Sequence, residues 1–375
     1  MEKGKKPLSH SKEPVAGYLP YVDIKAFEQG IIDNYAMVER SLSCEDGDLL
    51  IVCDGSRSGL TGRAIKGVVG STLSKIWADG LTTEYLRYFI QSKYTLLNTQ
   101  KKGTGTPHLN AEILKKSHLI VPSVPEQERI VAHIEELFSE LDKAVETLQT
   151  TKHQLAVYRQ AVLKEAFRGI AQENYRPLKT AIVGSPQNGL YKPKTAYGTG
   201  TRILRIDGFY DGFISSDYCF KRLTINDDEA SRYKLCISDL VVNRVNSMPY
   251  LGKCALIRNL DEVTVFESNI MRIQLDSTLV DPEYVTYFLS SLFGRKELTK
   301  NAKQAVNQAS INQTDVGNAM IPIPSSVAYQ RQMVSKIESR LSVCDSIEQT
   351  VNTALAHADA MRQSIFKQAF EGKLC

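Results

Sequence analysis

The chain has 375 residues, 42% of them hydrophobic, enough for two or three domains with cores of their own. Its formal net charge of +4 is a weak pull toward a polyanion, informative only where the basic residues gather. No apolar run approaches the ~18 residues of a membrane span, no apolar segment follows the basic start "MEKGKKPLSH", and seven cysteines occur without a CxxC pair.

A cytoplasmic chain with reduced thiols and no membrane contact is therefore expected. The six histidines stand apart from cysteines and carboxylates, so no metal is expected either.

In chain order, "YLPYVDIK" from Tyr18 is followed by "DLLIVC" from Asp48, a short apolar run that reads as a buried strand. A Gly-rich loop, "DGSRSGLTGR", comes next. "TTEYLRYFIQSKYTLL" then reads as one amphipathic helix capped by Thr82, with its tyrosines packing inward. After the loop "TQKKGTGT" and the breaker "VPSVP", residues Glu126 to Phe167 contain no Gly or Pro. Ile134, Leu141, Leu148, Leu155 and Val162 recur every seven residues, with Ile130, Leu137, Ala144, Thr151 and Tyr158 as a companion line. That is a coiled-coil seam on a rod of roughly 60 Å.

The same series then begins again. "TRILRIDG" from Thr201 answers "YLPYVDIK", and "DLVVNR" from Asp239 answers "DLLIVC". "PEYVTYFLSS" from Pro282, with Asp281 as N-cap, answers "TEYLRYFIQS". "RQSIFKQAFEG" from Arg362 answers "RQAVLKEAFRG" from Arg159. The offset grows from 183 to 203 along the chain, so the second copy carries its extra residues in loops. The second long helix has a softer line, Ile337, Cys344, Val351, Ala358 and Ile365, beside Met333, Arg340, Ile347, Ala354 and Met361. Neither helix can bury its stripe alone. The expected fold class is α+β: two pseudo-repeated mixed α/β heads separated by a pair of long antiparallel coiled-coil helices.

Two similar heads with unlike loops on a fixed rod suit a ligand that carries two half-sites, and DNA is the natural one. The loops have suitable chemistry. In the first copy they offer Arg57, Ser58, Thr61 and Arg63, then Lys101, Lys102 and Thr104. In the second they offer Asn243, Arg244, Asn246, Ser247, Tyr250 and Lys253, then Lys300, Lys303, Gln304 and Asn307. Arg and Lys match guanine, Asn and Gln match adenine, and lysines also serve phosphates.

Enzyme signatures are missing. "GSRSGLTG" is neither a dinucleotide fingerprint nor a P-loop, and no nucleophile elbow occurs. Cys53 and Cys236 lie in or beside apolar strands and Cys344 on the seam, positions that point to packing. No catalytic residue is assigned. The alternative is a two-headed coiled-coil adaptor between proteins that never contacts DNA.

The junction "VPSVPEQERIVAHIEELFSELDKAVE" and the closing phrases "AVLKEAFRG" and "IFKQAFEGKL" resemble the specificity subunit (HsdS) of Type I restriction–modification systems over essentially the whole chain. The resemblance implies target recognition domain 1 at 1–124, a central conserved helix at 125–170, target recognition domain 2 at 171–326 and a distal conserved helix at 327–375. It implies a noncatalytic chain in which each head reads half of a bipartite site on double-stranded DNA. The helices then set the spacer and dock two modification (methyltransferase) subunits, with restriction and translocase subunits completing the complex. No cofactor is expected in this chain; S-adenosylmethionine and ATP with Mg belong to the partners. The first copy begins only at "GKKP", against "RPLKTAIVGSPQNGLYKP" in the second, so its opening strand and turn are expected to be missing.

Overall fold

The computed structural model describes residues 1–103, 107–210, 212–215 and 218–374. The chain forms two compact units: Met1–Thr150 with Val351–Cys375, and Thr151–Thr350. The two long helices, Val124–Ala166 and Val327–Phe370, each contribute to both units. The units thus divide the chain differently from the four segments read in the sequence, because each head groups with the helix ends packed on it.

Unit 1 contains a four-stranded antiparallel sheet in the order Glu2–Lys3, Leu73–Lys75, Leu49–Val52, Thr61–Arg63. Leu49–Val52 is wholly buried, as its unbroken apolar run requires. A five-stranded sheet beside it pairs Tyr18–Val22 in parallel with Gly67–Val69. The expected gap at the opening is partly closed, since Glu2–Lys3 forms an edge strand. Gly4 follows it because a Cβ there would lie 2.3 Å from the Gly70 carbonyl oxygen.

The predicted amphipathic helix is two helices, Thr83–Ser92 and Tyr94–Thr99, interrupted at Lys93. Thr82 caps the first through Tyr85 N, a device that stabilises a helix by about 1 kcal/mol. Tyr85 and Tyr88 are buried, as expected, against Ile130, Ile134, Phe138 and Phe366.

Unit 2 has comparable contacts. Its four-stranded sheet runs Gln187–Asn188, Ile270–Ile273, Leu240–Asn243, Cys254–Leu256. Tyr197–Leu204 pairs in parallel with Thr264–Phe266. A Cβ on Gly189 would meet the Phe266 and Glu267 carbonyl oxygens at 2.3 Å. Asp281 caps the helix Pro282–Ser290. Unit 2 adds a strand, Tyr175–Pro177, paired with Met320–Pro322.

Each head is gripped in the same way. Gln127 is fully buried in the first turn of its long helix. Its Oε1 accepts from Thr82 N at 2.8 Å, and its Nε2 donates to Gly80 O at 2.7 Å and Pro122 O at 3.0 Å. In unit 2 Gln330, also fully buried, accepts from Asp281 N and donates to Leu279 O and Pro324 O. Phe370 meets Tyr85 and Phe89 edge-on at 5.3 and 5.4 Å, as Phe167 meets Tyr284 and Phe288 at 5.3 and 5.2 Å. Such ring pairs contribute about 0.5–1.5 kcal/mol beyond area burial.

Along the long helices Ile134, Leu141, Leu155, Val162, Ile337, Cys344, Val351 and Ala358 are buried, while Leu148 and Ile365 are half-buried. The companion line needs correction. Ile130 and Met333 are buried and Leu137, Thr151 and Ala354 half-buried, but Ala144, Tyr158, Arg340, Ile347 and Met361 are exposed. A further line of positions stands four residues after the first, with Phe138 buried and Val145, Arg159, Leu341, Leu355 and Arg362 half-buried, and is broken at exposed Lys152. It is partly ionic. In unit 1 Phe138 meets Phe366 at 5.0 Å and Asp142 pairs with Arg362. In unit 2 Arg159 pairs with Asp345 at 2.7 Å and Glu348 at 2.8 Å. Cys53 and Cys344 are buried as expected, but Cys236 is exposed, one position past buried Leu235. Among the described residues no helix is long and apolar enough to cross a membrane.

Candidate nucleic-acid interface

In unit 1 the turn after Leu49–Val52 is shaped by Gly59 at φ +97° and held from beneath. Asn98 Nδ2 donates to Ser56 O at 2.8 Å and Ser58 O at 3.1 Å, and Lys101 Nζ donates to Ser56 O at 2.7 Å. Ser58 is fully buried, its hydroxyl donating to Gly55 O and Cys53 O; it shapes the turn and has no surface to offer a ligand. Ser56 and Arg57 form the exposed tip, with Arg57 paired to Glu28.

Thr61 and Arg63 lie on the outer strand, where Arg63 Nε donates to Glu84 Oε1 at 2.6 Å. Burial alone would raise the Glu84 carboxyl, but hydrogen bonds from Arg63 and Arg87 outweigh it and hold it below the usual range. A similar pair in unit 2 joins Arg258, two residues past the strand Cys254–Leu256, to Glu283 at 2.6 Å. Lys102 is exposed, its backbone exchanging hydrogen bonds with His108. The two loops are stitched by Asp54, which accepts from Lys3 Nζ at 2.8 Å and meets His108 Nδ1 at 2.7 Å. Burial works against the charged Asp54, yet these two bonds depress its carboxyl overall. Thr104 lies outside the described residues.

In unit 2 a small sheet joins the two predicted loops: Val245–Asn246 pairs with Ala309–Ser310, which pairs with Lys303–Gln304. Asn243 is fully buried at the root of the turn, and neither polar atom of its side chain has a partner. Like Ser58, it is withdrawn from any ligand surface. Arg244 donates to Ser268 O at 3.0 Å. Asn246 Oδ1 accepts from Ser247 N, a local bond that tightens the turn.

Arg295, on the helix Leu292–Thr299, holds the turn in unit 2 as Asn98 does in unit 1, donating to Leu251 O at 3.0 Å, Met248 O at 3.3 Å and Pro249 O. Met248, Pro249 and Tyr250 form the exposed tip. Lys253 Nζ sits 4.2 Å from the Tyr210 ring and 4.7 Å from the Tyr250 ring. Lys300 pairs with Glu297 at 2.7 Å, while Lys303, Gln304 and Asn307 are exposed.

Sequence reasoning missed Asn98, Arg295, His108 and Tyr210. The first two sit on helices, read there only for their apolar neighbours. Tyr210 lies on the short strand Phe209–Tyr210, which carries no motif. Among the described residues no cluster of His, Cys, Asp and Glu is poised to hold a metal ion.

Residues 1–153 match the model of the Type I restriction modification DNA specificity domain. The chain is 25% identical over 364 residues to the Type I restriction enzyme MjaVIII specificity subunit of Methanocaldococcus jannaschii, covering 90% of this chain and 82% of that one. It is 28% identical over 267 residues to the EcoKI specificity subunit of Escherichia coli K12, covering 68% of this chain and 57% of that one. Its fold is similar to a chain in a solved structure concerned with complex assembly and conformational transition of the type I R-M system. There the TM-score is 0.70 at 18% identity, with 95% of this chain and 92% of the other covered.

Proposed function

We propose that the chain is a specificity subunit of the Type I restriction–modification kind, the family whose model residues 1–153 match and whose curated members it resembles at 25–28% identity, and that its two units each read one half of an asymmetric, split DNA sequence. Specificity subunits supply DNA sequence recognition and are noncatalytic. The observation that carries the half-site reading is the shared clamp with unlike tips. A side chain from the helix below holds the turn carbonyls in both units, and the turn presents Ser56 and Arg57 in one but Met248, Pro249 and Tyr250 in the other. Similar supports with different tips are what two readers of different half-sites need. Arg57, Lys101, Lys102, Tyr250, Lys253, Lys303, Gln304 and Asn307 are the side chains best exposed or positioned to meet bases and phosphates.

The chain is read as two copies of one module, its long helices forming an antiparallel coiled-coil ruler. Arg159 with Asp345 and Arg362 with Asp142 support this, because both the arginines and the aspartates stand 203 residues apart. Exposed Val157, Tyr158, Val343 and Ile347 on the helices suit docking of two methyltransferase subunits. Those partners would bring S-adenosylmethionine, and restriction subunits would bring ATP and Mg.

Mapping methylated adenines on DNA treated with the reconstituted complex tests the reading. A bipartite motif is expected. Exchanging residues 1–110 for another head should alter one half of it only, and four residues inserted at Thr150 should lengthen the ruler by about 6 Å and widen the gap. A complex that enriches no sequence would return the chain to the adaptor reading.

A further inference from the structure

The turn of unit 2 ends in three consecutive apolar or aromatic side chains, Met248, Pro249 and Tyr250, all exposed. Loop tips in water are ordinarily polar, and this one is held rigidly rather than left to collapse. Arg295 occupies the carbonyls of Met248, Pro249 and Leu251. Leu251 is fully buried directly behind the tip, and a Cβ on Gly252 would meet Thr299 at 2.9 Å. A cation stands at the flank, where Lys253 Nζ contacts both the Tyr210 and the Tyr250 ring.

A preorganised apolar point with a positive flank fits a ligand that is anionic outside and apolar within. Stacked base pairs between phosphate strands have that construction.

We infer that this turn is a wedge that enters the base stack of the half-site read by unit 2. Met248 and Pro249 separate the two base pairs of a single step, Tyr250 covers the exposed base face, and Lys253 meets an adjacent phosphate. The inference rests on the reading of unit 2 as a DNA-contacting head. It adds a mode of recognition that hydrogen-bonding loops do not provide. An opened step kinks the duplex, and the ease of opening depends on the step, so unit 2 selects flexible pyrimidine–purine steps without touching their edges. The matching tip of unit 1 carries Ser56 and Arg57 and has nothing to insert. One half-site is therefore distorted and the other is not.

The test uses the chain assembled with its methyltransferase subunits on a duplex bearing the mapped bipartite site. The probe is 2-aminopurine, placed in turn at each position of both half-sites. Binding should raise its fluorescence several-fold at one step of a single half-site, apart from any rise at the methylated adenine. The double variant Met248→Ser with Tyr250→Ser should lose that rise, and the conservative pair Met248→Leu with Tyr250→Phe should keep it.

A rise that persists in the serine variant, or none away from the methylated adenine, overturns the wedge. So does a serine variant that keeps the signal but loses the methyltransferase, which would mean that the tip docks protein. Failure of the underlying reading looks different, because no bipartite motif would then be recovered by methylation mapping.

Discussion

Replacing Gln127 with leucine would cut the connection between a head and its long helix without emptying the site, since the two side chains have similar volume. The amide is fully buried and makes three hydrogen bonds, at 2.8, 2.7 and 3.0 Å. Leucine offers none of them. The Thr82 N–H loses its acceptor, which costs about 1–3 kcal/mol, and the two lost donations cost about 0.5–1.5 kcal/mol each. A total of about 2–6 kcal/mol, at tenfold per 1.4 kcal/mol, corresponds to amide exchange faster by roughly one to four orders of magnitude. The loss should be local to Thr83–Ser92, whose cap residue Gln127 holds. Hydrogen–deuterium exchange read by mass spectrometry resolves this, with Pro282–Ser290 in the other unit as internal reference. Gln330→Leu should reverse the pattern, with a smaller effect because its donated bonds are longer, 3.2 and 3.1 Å. Unchanged protection of Thr83–Ser92, or equal loosening in both units, would refute the assignment.

Ile134→Ala, at a fully buried position, should cost about 2–5 kcal/mol, whereas Met361→Ala, exposed on its helix, should cost under about 0.5 kcal/mol. Urea titrations compare them, and equal losses would put Met361 back on the seam. Asp54 sets an acid limit. Its folded carboxyl is depressed, so its stabilisation is complete above the unfolded value of 3.8 and disappears as pH falls through the lower folded value. Thermal melts of Asp54→Asn should therefore fall below the parent near neutral pH and converge with it in acid; a constant difference would remove Asp54 from the acid transition. Burial, then the Asp48 carboxylate, push the Cys44 thiol to about 11, while Cys219 and Cys236 are exposed. Iodoacetamide near neutral pH should label the exposed pair first, and early labelling of Cys44 in a peptide map would contradict its burial.

Most of the scaffold was legible because it follows simple periodicities. Leu49–Val52 and Leu240–Asn243 show themselves as apolar runs, and Thr82 and Asp281 stand where N-caps belong. The sevenfold line of the long helices is likewise visible. The companion line is visible only in part, because a spacing of four and three reads equally well on either side of a heptad position. Ile130 and Met333 are buried on the expected side, while Phe138, Arg159 and Arg362 pack on the other, and two of those three are charged. Polar residues misled in both directions. Ser58 and Asn243 look like loop donors but are buried, and Gln127 looks like a solvated first-turn residue but is a buried anchor. Residue type reports a preference for water; it does not report whether the backbone nearby needs a partner.

The division between anchors and tips has an energetic consequence. Gln127, Gln330 and Phe167 are buried and Phe370 is half-buried, and substitutions at the buried three cost several kcal/mol of a stability that is itself only about 5–15 kcal/mol for a domain. Arg57, Met248 and Tyr250 are exposed, and changes there cost the fold little. The carbonyl clamps explain why such freedom does not dissolve the turn. Asn98 and Arg295 bind backbone, which every residue supplies, so the turn keeps its shape whatever side chains it carries. The tip can therefore change identity without the head losing structure. Ser56–Arg57 and Met248–Tyr250 are both held in this way.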